Sequence, residues 1–331
     1  MPFLSDANLR PWLEQLLKSR EVVAPVRGTD GERYFKNLQN AAEADIGPGN
    51  TALSPKDAFF PPSETLFTVE RQDGAPVLRP AGVERDTVLF GCRPCDIQGI
   101  SLVDKPYLAE PADLLYKARR EKTTLVGMAC ATVCAECFCT AMGSGPQDSR
   151  GADLMLYPVA GGYVVRDITP KGKVLLGLAV LDEKEASLPS PPAVPELNAS
   201  GVTGAFRQAF NDAYWDRLAD RCLHCNTCAY VCPTCYCFDV RDYSGKGGVV
   251  ERVRAWDSCQ SPGWTRAAGG HNPRPAKGAR MRQRFAHKLL YFPEIFGALK
   301  CTGCGRCVRH CPVNIDIREV IRDVRKLGGA Q

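Results

Sequence analysis

The sequence predicts an α/β domain with a mixed sheet, followed by a mainly helical domain that carries most of the cysteines. Three observations predict it. Short apolar runs alternate with helix-like segments through the first half of the chain. A stretch over 187–201, "SLPSPPAVPELNASG", then interrupts all periodicity with Pro189, Pro191, Pro192 and Pro195, as an extended linker does. Beyond it one cysteine spacing occurs twice, at Cys222, Cys225, Cys228, Cys232 and at Cys301, Cys304, Cys307, Cys311. The expected division is therefore 1–186, a linker over 187–201, and 202–331.

The elements follow in order. Leu9, Trp12, Leu13, Leu16 and Leu17 recur at helical spacing, so the chain opens on an amphipathic helix expected to pack on its own domain. That opening lacks the pattern of a secretory signal, and no long apolar run follows, so a cytoplasmic chain without a transmembrane segment is expected. Strands are expected at 65–70, 87–91, 123–129, 153–159 and 162–168. The last two join through a hairpin at Ala160, Gly161 and Gly162. The runs at 87–91 and 123–129 are almost wholly apolar, as in a parallel sheet buried on both faces. About thirty residues lie between them, including the helix-like "DIQGISLVDKPYL", enough for a parallel crossover. In the second domain, Phe206, Ala209, Phe210, Ala213, Tyr214 and Leu218 predict one helix over 203–222 leading into Cys222. A last helix is expected over 314–328, stopped by Gly328.

Seventeen cysteines, an odd number without an export signal, point to metal rather than disulfides. The repeated C-x2-C-x2-C-x3-C-P is the bacterial ferredoxin run, whose fourth cysteine serves the other cluster of a pair. Three cysteines at i, i+3 and i+6 can grip three corners of a cube. The fourth, followed by Pro233 or Pro312, is expected to start a helix that carries it to the neighbour. Two [4Fe-4S] clusters are thus expected, one on Cys222, Cys225, Cys228 and Cys311, the other on Cys301, Cys304, Cys307 and Cys232. Gly303 and Gly305 would keep bulk away from the second cube. Structural zinc, built from two C-x2-C pairs, fits this spacing poorly.

Cys95 follows the 87–91 strand, and Cys130, Cys137 and Cys139 follow the 123–129 strand. Parallel strands would deliver all four to the carboxyl edge of the sheet, where open α/β sheets bind ligands. A third [4Fe-4S] cluster is expected there, the alternative being buried thiols. Cys92 and Cys134 have no assigned role. Cys235, Cys237 and Cys259 could hold a further cluster with a non-cysteine fourth ligand, Asp257 or His271, or could pack around the first two cubes; packing is favoured.

The formal charge is +5, and nine Lys or Arg against one acid lie between Arg252 and Lys288. Each oxidised cube with four thiolates carries about −2, so three would bring the total to about −1. The basic stretch is therefore read as compensation for clusters, and no nucleic-acid partner is expected.

These residues resemble the iron-sulfur electron-transfer subunits of cytoplasmic sulfhydrogenases (the beta subunit) and anaerobic sulfite reductases (the A subunit). The matching stretches are "RPCD" (93–96), "ARREK" (118–122), Cys130 to "CFC" ending at Cys139, "GSGP" (143–146), "CPTCYCFD" (232–239), "WDSC" (256–259), "AGGHNPRP" (268–275) and "CTGCGRC…CP" (301–312). The resemblance implies a subunit of an anaerobic oxidoreductase complex that relays electrons without its own substrate-reducing centre. It implies two kinds of partner. One is a flavin/NAD(P)H-binding subunit or a ferredoxin module. The other is a catalytic redox subunit of hydrogenase, sulfite reductase or heterodisulfide-reductase-like type.

Four histidines and no G-x-G-x-x-G, Walker A or G-x-S-x-G motif agree with a conduit, and no flavin is expected in this chain. Two other functions are open: a flavin-containing reductase of a deazaflavin-type hydride carrier, and a zinc-stabilised or redox-sensing interaction module.

Overall fold

The structure, a computed structural model, describes residues 1–83, 85–184 and 186–329. Eleven strands occur among them. They are β1 (Phe3–Ser5), β2 (Glu21–Arg27), β3 (Arg33–Asn37), β4 (Ser63–Gln72), β5 (Ala75–Pro80), β6 (Thr87–Cys92), β7 (Thr123–Met128), β8 (Leu154–Val159), β9 (Gly162–Asp167), β10 (Phe238–Ser244) and β11 (Val250–Trp256).

The larger sheet runs β1-β9-β8-β7-β6-β2-β3. Its centre, β8, β7, β6 and β2, is parallel, and both edges are antiparallel. This is the expected mixed sheet. Val88 and Phe90 of β6 point into one core and Leu89 into the other, as alternation along a strand requires, and a register shift between Phe90 and Cys92 turns Cys92 to the Leu89 side. The first core is closed by the helix Asp6–Leu17, whose Leu9, Trp12, Leu13 and Leu16 are buried, with the Trp12 indole donating to the Leu175 carbonyl at 3.1 Å. The second core is closed by the crossover helix Pro94–Tyr107 with Phe59, Phe60 and Tyr116.

The smaller sheet, β10-β11-β4-β5, is antiparallel and takes strands from both sides of residues 187–201. Sequence reading found β4 but not β10 or β11. Both are rich in charge and lack an apolar alternation, β10 being largely solvent-facing and β11 mostly half-buried. Arg254 is the exception. It is buried on β11 and ion-paired with Glu64 of β4 and with Asp113, the N-cap of the helix Leu114–Lys122.

Past residue 201 the chain is helix-rich. The helices Val202–Gln208, Tyr214–Asp220, Lys277–Ala286 and Ile317–Leu327 enclose Phe206, Trp215, Phe285, Leu289 and Ile321; Phe138 and Met142 from the first half join them. The single helix expected over 203–222 is broken. Asp212 accepts a hydrogen bond from the Tyr214 N–H at 2.7 Å, and the Trp215 indole takes the Ala209 carbonyl at 2.9 Å. These local bonds end one helix and start the next.

Candidate metal centres

The two ferredoxin-type runs share one backbone. In the first, His224 (φ 56°) and Asn226 (φ 63°) are left-handed; in the second, Gly303 (φ 65°) and Gly305 (φ 74°) occupy the same steps. Alternating left-handed residues curl the backbone N–H groups into a concave nest suited to anions. The first copy carries side chains at these steps and the second cannot. A Cβ on Gly303 would stand 2.5 Å from Phe138 backbone, and one on Gly305 would stand 2.7 Å from the Glu136 carbonyl oxygen. The glycines thus make room for residues 136–139 as well as for a cube. A one-turn helix follows each nest, Thr227–Tyr230 and Arg306–Arg309. Contrary to expectation, these helices carry the third cysteine, and Cys232 and Cys311 lie just beyond them rather than starting a helix. Pro233 and Pro312 end the segment instead of beginning one.

Bound at one point, a tetrahedral zinc needs thiolates at about 2.3 Å. Among the described residues, no three Cys, His, Asp or Glu side chains converge on a point suited to a single metal ion. The cysteines form looser groups. Cys222, Cys225, Cys228 and Cys311 all line one cavity with about 450 Å³ of empty space, its open side included. The His224 N–H donates to Cys222 Sγ at 3.3 Å, and the Ile315 N–H donates to Cys311 Sγ at 3.2 Å. Leu223 and Cys225 are exposed at its mouth.

In the second group, Cys301, Cys304 and Cys307 each feel Cys232 electrostatically. Burial pushes the Cys301 thiol up to about 12 against the pull of Lys288. Lys288 is buried; its ammonium donates to Cys232 Sγ at 3.3 Å and to Thr234 Oγ1 at 3.0 Å. Arg284, also buried, lies between the two groups, facing Cys228 of one and Cys307 of the other.

The third group gathers around Asn50. Its amide donates to the Cys304 carbonyl at 2.8 Å and stands 4.0 Å from Cys137 Sγ, while Cys95 Sγ is 3.8 Å from its Oδ1. Cys95 feels Cys130, and Cys130 feels Cys139. Burial raises the Cys130 thiol to about 11, with Arg93 pulling the other way. All four expected residues lie past the ends of β6 and β7. Cys134 joins them: a hydrogen bond with Cys137 holds its thiol down at about 5, and Arg309 Nη2 is 3.6 Å away. Cys92 stands apart, wholly buried in the sheet core with its thiol on the Leu89 carbonyl.

Cys235, Cys237 and Cys259 form the last group. Cys259 hydrogen-bonds Cys237 and holds its thiol down at about 6. Cys235 contacts Cys232 in the same way. His271 is exposed on its own loop.

These surroundings suit anionic cubes. Lys56, Arg284, Lys288 and Lys300 are all buried, and none is ion-paired to a carboxylate among the described residues. Other buried guanidinium groups differ: Arg254 pairs with Glu64 and Asp113, Arg306 inside the second run pairs with Asp96, and Arg93 and Arg280 donate to backbone carbonyls. Buried charges need a counter-charge, and the cysteine sulfurs are the groups that face Lys56, Arg284, Lys288 and Lys300. Of the nine basic residues in the 252–288 stretch, Arg284 and Lys288 fill the expected compensating role. Arg252 is exposed and pairs with Asp242, and Arg254 belongs to the smaller sheet. Lys56 and Asn50 lie outside any recognisable motif, and Thr234, inside "CPTCYCFD", is not a residue type that marks a ligand.

Comparison with known proteins agrees with this geometry. A family model described as a 4Fe-4S dicluster domain matches residues 221–315, which implies two [4Fe-4S] clusters. No solved structure matches the chain. Among curated proteins, sulfhydrogenase 2 subunit beta of Pyrococcus furiosus is 31% identical over 95% of both chains. Similarity of that degree along nearly the whole length of both proteins makes the chain a member of the sulfhydrogenase beta subunit family, an iron-sulfur electron-transfer subunit.

Proposed function

We infer that the protein relays electrons between a flavin/NAD(P)H-binding subunit, or a ferredoxin module, and a catalytic redox subunit of hydrogenase type. The ligand sets are Cys222, Cys225, Cys228 with Cys311; Cys301, Cys304, Cys307 with Cys232; and, for a third [4Fe-4S] cluster, Cys95, Cys130, Cys137 and Cys139. One-electron transfer is the chemistry such clusters supply when bound. The residues of the chain position and insulate the route. Arg284 bridges the first two groups, and Asn50 ties the second to the third through the Cys304 carbonyl. The single observation that carries the reading is the continuous series of cysteine groups, from the solvent-facing Cys225 through Arg284 and Asn50 to the carboxyl edge of the larger sheet. On this reading residues 1–186 and 202–331 each carry part of the route, with 187–201 as the covalent link. No helix among the described residues is long and apolar enough to cross a membrane.

The experiment is a comparison of the isolated chain with the assembled complex. NAD(P)H is expected to leave the visible absorbance of the isolated, iron-loaded chain unchanged and to bleach it once the flavin-bearing partner is present. A bound flavin and direct reduction of the isolated chain by a hydride carrier would replace the relay with a reductase.

A further inference from the structure

We propose that Cys235, Cys237 and Cys259 hold an additional iron-sulfur centre next to the Cys232 group, framed by the ammonium groups of Lys56 and Lys300. The inference rests on the iron-sulfur reading above and extends it to a site that the two ferredoxin-type runs and the third group do not include.

The first observation is convergence. Cys235 and Cys237 lie on the turn after the first run, and Cys259 comes from the end of β11, more than twenty residues later. The Asp257 N–H donates to the Cys237 carbonyl at 3.0 Å, which draws the two segments together. The Cys237 and Cys259 thiols then meet within hydrogen-bond reach, and Cys259 also feels Cys235. Asp257, two residues before Cys259, is bonded to Cys237 through its backbone, and its Oδ1 accepts from the Ser258 N–H at 2.6 Å.

The second observation is independent of the cysteines. Lys56 and Lys300 are 6% and 2% exposed. They come from opposite ends of the chain, and neither meets a carboxylate among the described residues. Lys56 donates to the carbonyls of Ala229 and Cys235 at 3.3 and 3.1 Å, and its ammonium lies 4.0 Å from the centre of the Trp256 ring. The Lys300 ammonium lies 3.2 Å from His287 Nε2 and 3.2 Å from the centre of the Tyr236 ring. Carbonyls and ring faces satisfy these groups but do not neutralise them. Lys288 and Arg284 already face the sulfurs of the two ferredoxin-type groups. The sulfur foremost for both Lys56 and Lys300 is Cys235, and Cys232 and Cys237 also face each of them. Burial by itself draws both lysines toward the neutral amine, so the observation is the placement of two basic side chains against these thiols. Metal-bound thiolates are deprotonated and would supply the negative charge that suits that placement.

The test uses the anaerobically prepared full chain. The double variant Cys237→Ser, Cys259→Ser is expected to lose about four of about sixteen iron atoms per chain, with matching sulfide, while the other signals persist. Unchanged iron would make these thiols packing residues and overturn the proposal. Lys56→Met keeps every cysteine and guards against a folding failure of the double variant. Its iron content should be unchanged, and one centre should titrate at a more negative potential while the others stay in place. No movement of any centre would also overturn the proposal. Cys95→Ser serves as the separate arm for the third group: undiminished iron there would retire that cluster and leave this one standing.

Discussion

Cys311→Ser is expected to abolish or convert the cluster held by Cys222, Cys225 and Cys228, some eighty residues earlier in the chain, and to spare the one held by Cys301, Cys304 and Cys307. The reason is spatial. Cys311 shares a cavity wall with the first triplet, and its sulfur is fixed there by the Ile315 N–H. The second triplet has its own fourth thiol in Cys232, which the buried Lys288 ammonium holds at 3.3 Å. Serine keeps the volume and removes the soft ligand, so the effect belongs to ligation rather than packing. Low-temperature EPR of the dithionite-reduced protein separates the outcomes. Loss of the first signal with the second intact is the expected result. Loss of the second signal alone would mean that each run serves its own cube.

Asp96→Asn is expected to destabilise the protein by about 3–5 kcal/mol, the usual consequence of leaving one member of a buried ion pair without its partner. Arg306 and Asp96 are 0% and 1% exposed and meet at 2.6 Å. Arg306 also donates to the Thr51 carbonyl at 2.8 Å and to the Thr51 hydroxyl at 2.9 Å. One guanidinium therefore ties the second ferredoxin-type run to the loop before β4 and to the first turn of Pro94–Tyr107. Asp96 also accepts from the Arg93 N–H at 3.2 Å, closing the start of that helix beside Cys95. Denaturant unfolding of the iron-loaded protein should show the loss as a lower midpoint. The double variant Asp96→Leu, Arg306→Met should recover part of it, because two apolar groups replace two charges. Equal stability of Asp96→Asn and the parent would mean that the pair contributes nothing to joining the halves.

The parts of the fold legible in the sequence were those with strong local patterns. β6 and β7 are buried on both faces and read as unbroken apolar runs. The opening helix shows Leu9, Trp12, Leu13 and Leu16 on one face. The ferredoxin spacing announced two clusters before any geometry was known. The smaller sheet was not legible, because β10 and β11 carry charged residues without a clear apolar alternation and the pairing of β11 with β4 spans more than 170 residues. The break in the 203–222 helix depends on two polar bonds that apolar periodicity does not register. At the site, cysteines were legible as ligand types, whereas the groups that compensate their charge were not. Lys56, Lys300 and Asn50 acquire meaning only through burial and through partners far away in the chain. The left-handed steps at His224 and Asn226 were also hidden, since only their glycine counterparts in the second run advertise that conformation.

The most direct measurement is the iron, acid-labile sulfide and zinc content of anaerobically purified chain, read together with its visible spectrum before and after dithionite. The account requires iron and sulfide in equal amounts, at least about eight of each per chain, with negligible zinc and a brown colour that bleaches on reduction. A colourless protein holding zinc in place of iron would contradict it.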